Sequence, residues 1–434
     1  MNDSIYFLII LNLIFSFLFF KFNSFKYFSI RGITVTYFTI FYPIVIAMVI
    51  LESILFFDSF IDEPLIIIDT LCAYLILIGT FLVIEICFII IKFSCKKEGI
   101  IKREYRYEIL QIGDLKIMWL AIFYLIALFV RLYLDVYYHV SINPDYNTSV
   151  NNYQSLINRL HWLGLLPIFL FQFKFFKTGK VWYLVISVIM LVAAVGIYLP
   201  SGSRTTALLF VPVFMIFAIS RMKSHKISFI IIGALVISIL LVFAGKLRVT
   251  DNDFSESGFS DDVRILVHRL SDSLVTGRII EKVPSEFDFR GGIGMEALLV
   301  TPFPRVLRTV LDVEEDFLDG VRYIWHIGLS GPWTSVPVTL LGDFYSRFGW
   351  YGIWIFSLFL GLWLKLLEKI ISRKCELFRV VFISLYSAYL SQIYIVDLQV
   401  LFVSITREFL IAYLLATIVA KFLKQPPVAK AIII

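Results

Sequence analysis

Charge is scarce in this chain. Asp, Glu, Lys and Arg make up 17% of 434 residues, where an average soluble domain carries about a quarter. That scarcity excludes a water-facing surface over most of the length. Cysteine is scarce too. The four present, Cys72, Cys87, Cys95 and Cys375, fall in apolar runs or beside lysine-rich loops, at no spacing that suits a disulfide framework or a metal. No metal and no cofactor is expected. A basic tail is missing; the net charge of +6 comes from Lys and Arg set between apolar runs, so nucleic acid is not an expected partner. The sequence also lacks a Walker loop, a GxSxG elbow, an HExxH helix and a GxGxxG turn. That argues against ATP-driven transport, hydrolase and metalloprotease chemistry. Repeats and low-complexity tracts are absent. No basic n-region and no small-x-small site precede Lys21, so 5–20 reads as a retained span rather than a cleaved leader.

Apolar residues are what the chain has instead: 59% in total, with 43 phenylalanines. They gather at 5–20, 33–57, 65–91, 115–134, 161–176, 181–199, 205–220, 227–246, 348–364, 378–396 and 398–420. Runs of this length cross a hydrocarbon core about 30 Å thick. A backbone in lipid must satisfy its own hydrogen bonds, so each run is expected to be a helix. The alternation of a membrane β-barrel is absent. Loop charges sort by side. Lys21, Lys26 and Arg31 follow the first run, Lys92 to Arg106 the third, Lys174 to Lys180 the fifth, Arg221 to Lys226 the seventh and Lys365 to Arg379 the ninth. The intervening loops are acidic or neutral, as at Asp58, Asp62 and Asp135. The positive-inside rule then puts the N-terminus outside and the C-terminus inside. The expected fold is an all-α polytopic bundle of about eleven spans. Residues 1–246 hold eight of them, 247–347 form a large external loop, and 348–434 hold the last three.

Several clusters carry candidate chemistry. Pro200-Ser201-Gly202-Ser203-Arg204-Thr205-Thr206 is a short turn opening a span. Arginine at a helix N-terminus suits a phosphate; a Ser/Thr cap with a snorkelling arginine explains the same residues. Gly328 to Gly352 is rich in glycine and aromatics and leads into the ninth run. An interfacial aromatic belt explains Trp333, Tyr345, Trp350 and Tyr351, but not Asp343, Arg347 and nearby His326. Stacking aromatics beside a carboxylate also suit a sugar. Arg407 and Glu408 lie within the last run, where ionisable groups are costly and are either functional or paired; Glu85 and Asp397 are the expected partners for a structural pair. The external loop holds arginines, among them Arg278 and Arg290, that suit either ion pairs or an anionic ligand.

At these residues the chain resembles the Wzy-type polysaccharide polymerases, the repeat-unit polymerases of O-antigen and capsule pathways. The resemblance lies in the SGSRT turn at Ser201–Thr205, the G-D-x-Y-x-x-F-G-x-x-G run from Gly342 to Gly352, and many spans with one large late external loop. The layout covers the whole chain and the motifs about 20 residues. The arginine-x10-glycine spacing of some members is not formed from the loop arginines, so their roles do not transfer by motif. The resemblance implies a GT-C-like glycosyltransferase at the outer face of the bacterial inner membrane. It would join undecaprenyl-diphosphate-linked oligosaccharides, with a chain-length regulator as a further partner. Arg204, Arg278, Arg290 and Arg347 would hold the diphosphate, with Tyr345 and Arg407 also on the substrate; His326, Asp343 and Glu408 are candidates for the acceptor's base. An O-antigen ligase, which shares the architecture, and a lipid-linked oligosaccharide flippase or transporter stay open as alternatives.

The loop charges make a direct prediction. Cysteines introduced near Ser260 and Pro332 should react with an impermeant thiol reagent in intact spheroplasts, and those near Lys97 and Lys369 only after lysis. Labelling near Lys97 in intact cells would overturn the topology.

Overall fold

The computed structural model describes residues 2–23, 29–56, 64–94, 114–138, 165–198, 204–222, 271–293, 295, 298, 319–329 and 338–423. Every regular element among them is helical. Helix α1 spans Asn2–Phe22. Helix α2 (Ile30–Thr39) runs through a π turn at Ile40–Ile44 into α3 (Val45–Phe56), and α4 spans Pro64–Ser94. Next come α5 (Asp114–Tyr138), α6 (Leu165–Thr178), α7 (Val181–Tyr198) and α8 (Arg204–Arg221). From the expected external loop come α9 (Leu274–Lys282), entered by a 3-10 turn at Ser271–Ser273, and α10 (Asp319–His326). Helix α11 spans Leu340–Ser372 and α12 Glu376–Gln392; a 3-10 turn at Ile393–Ile395 leads to α13 (Leu398–Val403), a π turn at Ser404–Glu408 and α14 (Phe409–Leu423).

Six of these stretches are long and apolar enough to cross a membrane: Asp3–Phe22, Ile30–Glu52, Pro64–Ile91, Leu340–Ser372, Glu376–Ile395 and Leu398–Leu423. Val181–Gly196 and Val211–Arg221 are shorter apolar helices. The expected eighth run, 227–246, lies outside the described residues. Large apolar side chains point outward along these helices; Phe17, Leu65, Phe129, Val192 and Ile418 are each more than half exposed. Water would penalise such a surface, whereas lipid does not.

The described chain packs as two compact units: Met1–Gly99 with Asp253–Lys369 and Tyr389–Leu410, and Ile100–Asn252 with Ile370–Ala388 and Ile411–Ile434. In the first unit, Ile5 and Ile9 of α1 bury against Ile46 and Ile50 of α3 and Ile67 and Leu71 of α4. Apolar surface gives helices in lipid no net drive to associate, so close packing and polar stitches matter more. The Asn12 amide donates to the Leu71 carbonyl at 3.1 Å. The Tyr74 hydroxyl bonds Ser16 at 2.8 Å and Thr39 at 2.9 Å. Helix α9 joins the same assembly through Thr276, bonded to Tyr42 at 3.2 Å and to Thr339 at 2.8 Å. Gly277 lets it approach closely, because a Cβ there would overlap the Ile66 carbonyl of α4.

In the second unit, α6 and α7 form a hairpin turned at Gly179 (φ 71°). Ser187 of α7 donates to the Ile168 carbonyl at 2.9 Å, and Gln172 of α6 to the Phe214 carbonyl of α8 at 3.3 Å. Asp114, which opens α5, pairs with Lys174 and accepts from the Tyr183 hydroxyl at 2.8 Å. Glu376 pairs with Arg221 at 2.9 Å and Lys177 at 3.7 Å.

The longest helix departs from the sequence reading at its start. The run was expected to begin at 348, but α11 begins at Leu340 and carries the whole Gly342–Gly352 stretch. What lies near 348 is a kink. Phe348 has φ −142° and ψ 23°, and Gly349 has φ 62° and ψ −147°. A left-handed backbone of this kind favours glycine, which explains why the helix bends there.

Candidate functional site

The kink breaks the helical ladder just past Arg347 and frees carbonyls that would otherwise accept within α11. The loop after α9 takes them up: the Arg290 amide donates to the Ser346 carbonyl at 2.8 Å and the Gly291 amide to the Arg347 carbonyl at 3.0 Å. This backbone clamp sets Arg290 beside the first turn of α11. Upstream, the Thr339 hydroxyl accepts from the Gly342 amide at 3.2 Å and so caps the helix. Thr339 holds φ 58°, a conformation a β-branched residue keeps only where its surroundings fix it.

Asp343 sits at the centre, 0% exposed. Arg290 donates to its Oδ1 at 2.6 Å. Its Oδ2 accepts from Arg347 Nε at 3.3 Å and from the Leu398 backbone N–H at 2.8 Å. Arg347 also donates to the Ile293 carbonyl at 2.8 Å. Leu398 is the first residue of α13, where an amide has no partner within its own helix. Asp397, immediately before it, accepts from the Val400 amide at 2.8 Å as the helix cap. Two carboxylates thus meet one helix N-terminus, the end where negative charge is favoured. The Asp397 carboxyl is pushed up to about 6, by burial first and by Asp343 next, against the pull of the Val400 amide, Arg290 and Arg347. The Tyr323 ring of α10 lies over the Arg290 guanidinium at 4.6 Å.

Three expected site residues, Arg290, Asp343 and Arg347, therefore come together. Tyr345 lies on the same turn of α11 but points into an aromatic group, edge-on to Phe289 at 6.1 Å and to Trp350 at 5.3 Å. His326 ends α10, one helical turn from Tyr323; it is exposed and meets Phe287 edge-on at 5.4 Å. Arg278 is exposed on α9. Arg204 opens α8, as the turn predicted; its side chain and Ser201–Ser203 lie outside the described residues.

Arg407 and Glu408 are not part of this cluster. They pair with each other at 2.6 Å on the π turn, about 15 Å of helix beyond Leu398. Neither Glu85 nor Asp397 is their partner, contrary to expectation. Glu85 pairs instead with the buried Arg31 and with Lys365 at 2.9 Å, and Arg31 also pairs with Glu368. This second charged group lies at the far end of α11, roughly 35 Å of helix from Asp343.

Sequence reasoning missed Asp397 and Tyr323 as members of the site. Asp397 did carry a signal, as the one acid in the short gap between two apolar runs. Asp272, in the 3-10 turn before α9, is a second carboxyl pushed up to about 6 by burial, but the arginines do not reach it. Comparison of the chain with known protein families, curated proteins and solved structures finds no match. Among the described residues no group of His, Cys, Asp and Glu is placed to hold a metal ion. The groups brought together are two guanidiniums, one carboxylate that fixes them, and one carboxyl that burial pushes up to about 6.

Asp343→Asn should cost about 3–5 kcal/mol, because two buried guanidiniums lose their counterion. The expected readout is a lowered melting temperature in detergent and reduced membrane abundance. A variant that melts like the wild type would show that the triad does not hold these elements together.

Proposed function

We propose that the chain is a membrane glycosyltransferase that polymerises undecaprenyl-diphosphate-linked oligosaccharide repeat units into O-antigen or capsular polysaccharide. It would work at the outer face of the bacterial inner membrane, in an eleven-span, GT-C-like bundle with the N-terminus outside. The observation that carries this reading is the charge balance around Asp343. Among the described residues, two arginines and, with Asp397 ionised, two carboxylates cancel. When Asp397 takes a proton, the cluster holds one net positive charge.

The reaction asks for that coupling. A hydroxyl of the incoming lipid-linked unit attacks the anomeric carbon of the growing chain. The new glycosidic C–O bond forms as the bond to the diphosphate breaks, and the electron pair leaves with the diphosphate. The hydroxyl proton goes to Asp397. The base is thus neutralised as negative charge builds on the leaving group, and the cluster then meets the diphosphate with one net positive charge. Arginine suits this role through its fixed fork of donors, which grips two phosphate oxygens. Asp343, with both oxygens accepting hydrogen bonds and no exposed surface, acts in this scheme by holding the arginines; its candidacy as base passes to Asp397. His326, exposed one turn from Tyr323, is suited to the sugar side.

A proton-coupled flippase would also use a titratable carboxyl, and a ligase would use the same chemistry on a lipid A core acceptor. Asp397→Asn separates enzyme from carrier by what remains: single repeat units persist on the surface if an enzyme is disabled and disappear if a carrier is. Asparagine caps a helix as well as aspartate does. A carboxyl raised from 3.8 to about 6 favours the fold below the lower value and loses that contribution as pH rises through the higher, so its removal does not weaken the protein at neutral pH. The variant should reach normal abundance while polymer formation falls by about 10²–10⁴. The wild-type rate should climb with pH through about 6 and level off above it. A normal polysaccharide ladder from Asp397→Asn would refute the base assignment.

A further inference from the structure

Tyr323 has a chemical group that the described residues do not use. Its ring is 8% exposed and packs on Arg290 at 4.6 Å, while Ile324 and Ile327 beside it are fully buried. Those contacts explain an aromatic ring at this position. They do not explain the hydroxyl, which is buried with no hydrogen-bond partner among the described residues. Phenylalanine would give Arg290 a comparable π face and would bury no unsatisfied polar atom. A buried donor without a protein partner is costly to keep unless something else accepts from it. The phenolic oxygen is one bond beyond a ring whose centre lies 4.6 Å from the Arg290 guanidinium. Burial pushes this phenol up to about 12, with Arg290 pulling the other way. It therefore stays a donor throughout the working pH range. Anionic phosphate oxygens are the acceptors best matched to a neutral O–H beside a guanidinium.

We infer that Tyr323 is a diphosphate-binding residue, whose hydroxyl donates to a phosphate oxygen of the ligand drawn to Arg290. This rests on the diphosphate reading of the Arg290–Asp343–Arg347 cluster. It adds a neutral donor to a site otherwise made of charge, and one carried by α10 rather than by α11. A neutral donor adds no ionic attraction that would hold the departing diphosphate, so it favours diphosphate by geometry rather than by net charge.

The test uses the full-length protein in nanodiscs of uncharged phosphatidylcholine, so that anionic headgroups do not compete. Farnesyl diphosphate and inorganic pyrophosphate serve as probes, with binding followed by calorimetry. Tyr323→Phe should weaken both probes by about tenfold or more, the value of one hydrogen bond to a charged acceptor. Without probe it should melt no lower than the wild type, because the hydroxyl has no hydrogen-bond partner among the described residues to lose. If the wild type binds and Arg347→Lys weakens binding, but Tyr323→Phe binds normally, the tyrosine inference is wrong and the arginine reading survives. If the wild type binds neither probe, the diphosphate reading fails and Tyr323 falls with it. A Phe variant that melts lower without probe would show an internal partner for the hydroxyl, and would also overturn the inference.

Discussion

Asp343 accepts hydrogen bonds from three separate stretches of chain: the loop after α9, its own helix α11, and the start of α13. A carboxylate with no exposed surface is tolerable only where charge and donors surround it. Each partner here also serves a second purpose. Arg290 arrives through backbone bonds that cap the carbonyls freed by the α11 kink. Arg347 reaches on to the Ile293 carbonyl. Leu398 is an uncapped helix amide. Removing the carboxylate would therefore unbalance a charge pair, a loop anchor and a helix end together. The site and the local fold share one constraint.

Gly349 makes that constraint possible. A straight α11 would bond its own Ser346 and Arg347 carbonyls and leave Arg290 without a backbone clamp. The left-handed residue at 349 opens the ladder at that point. The strained Thr339 at the other end of the same segment is held by its own bonds to Thr276 and Gly342. A strained Thr339 and a glycine-only turn at Gly349 thus bracket the nine residues, 340–348, that carry Asp343 and Arg347.

Much of this was legible in the sequence, for physical reasons that differ by residue. Long apolar runs announce helices because lipid leaves the backbone no alternative; α1, α4 and α14 follow from that alone. Asp343 and Arg347 stand four residues apart, so their pairing is readable as one helical turn. Their link to Arg290 and to α13 is not, because it depends on a bend at Gly349 that hydropathy cannot see. The same limit hid Asp397, which lies 54 positions from Asp343 along the chain and meets it only through a helix end. Arg31 read as an ordinary loop charge reporting topology. It is buried against Glu85 and Glu368, contacts that join helices far apart in sequence. Conversely, Arg407 and Glu408 satisfy each other, so no distant partner was needed.

The central proposal is that the Arg290–Arg347 pair and Asp397 together make polymer from lipid-linked units. Deletion of the gene, followed by sizing of the surface polysaccharide on a gel, tests that claim most directly. A polymerase predicts that single capped repeat units persist while the long ladder disappears. Loss of all surface saccharide, single units included, would point to a carrier, and an unchanged ladder would remove the protein from the pathway; either result would contradict the account.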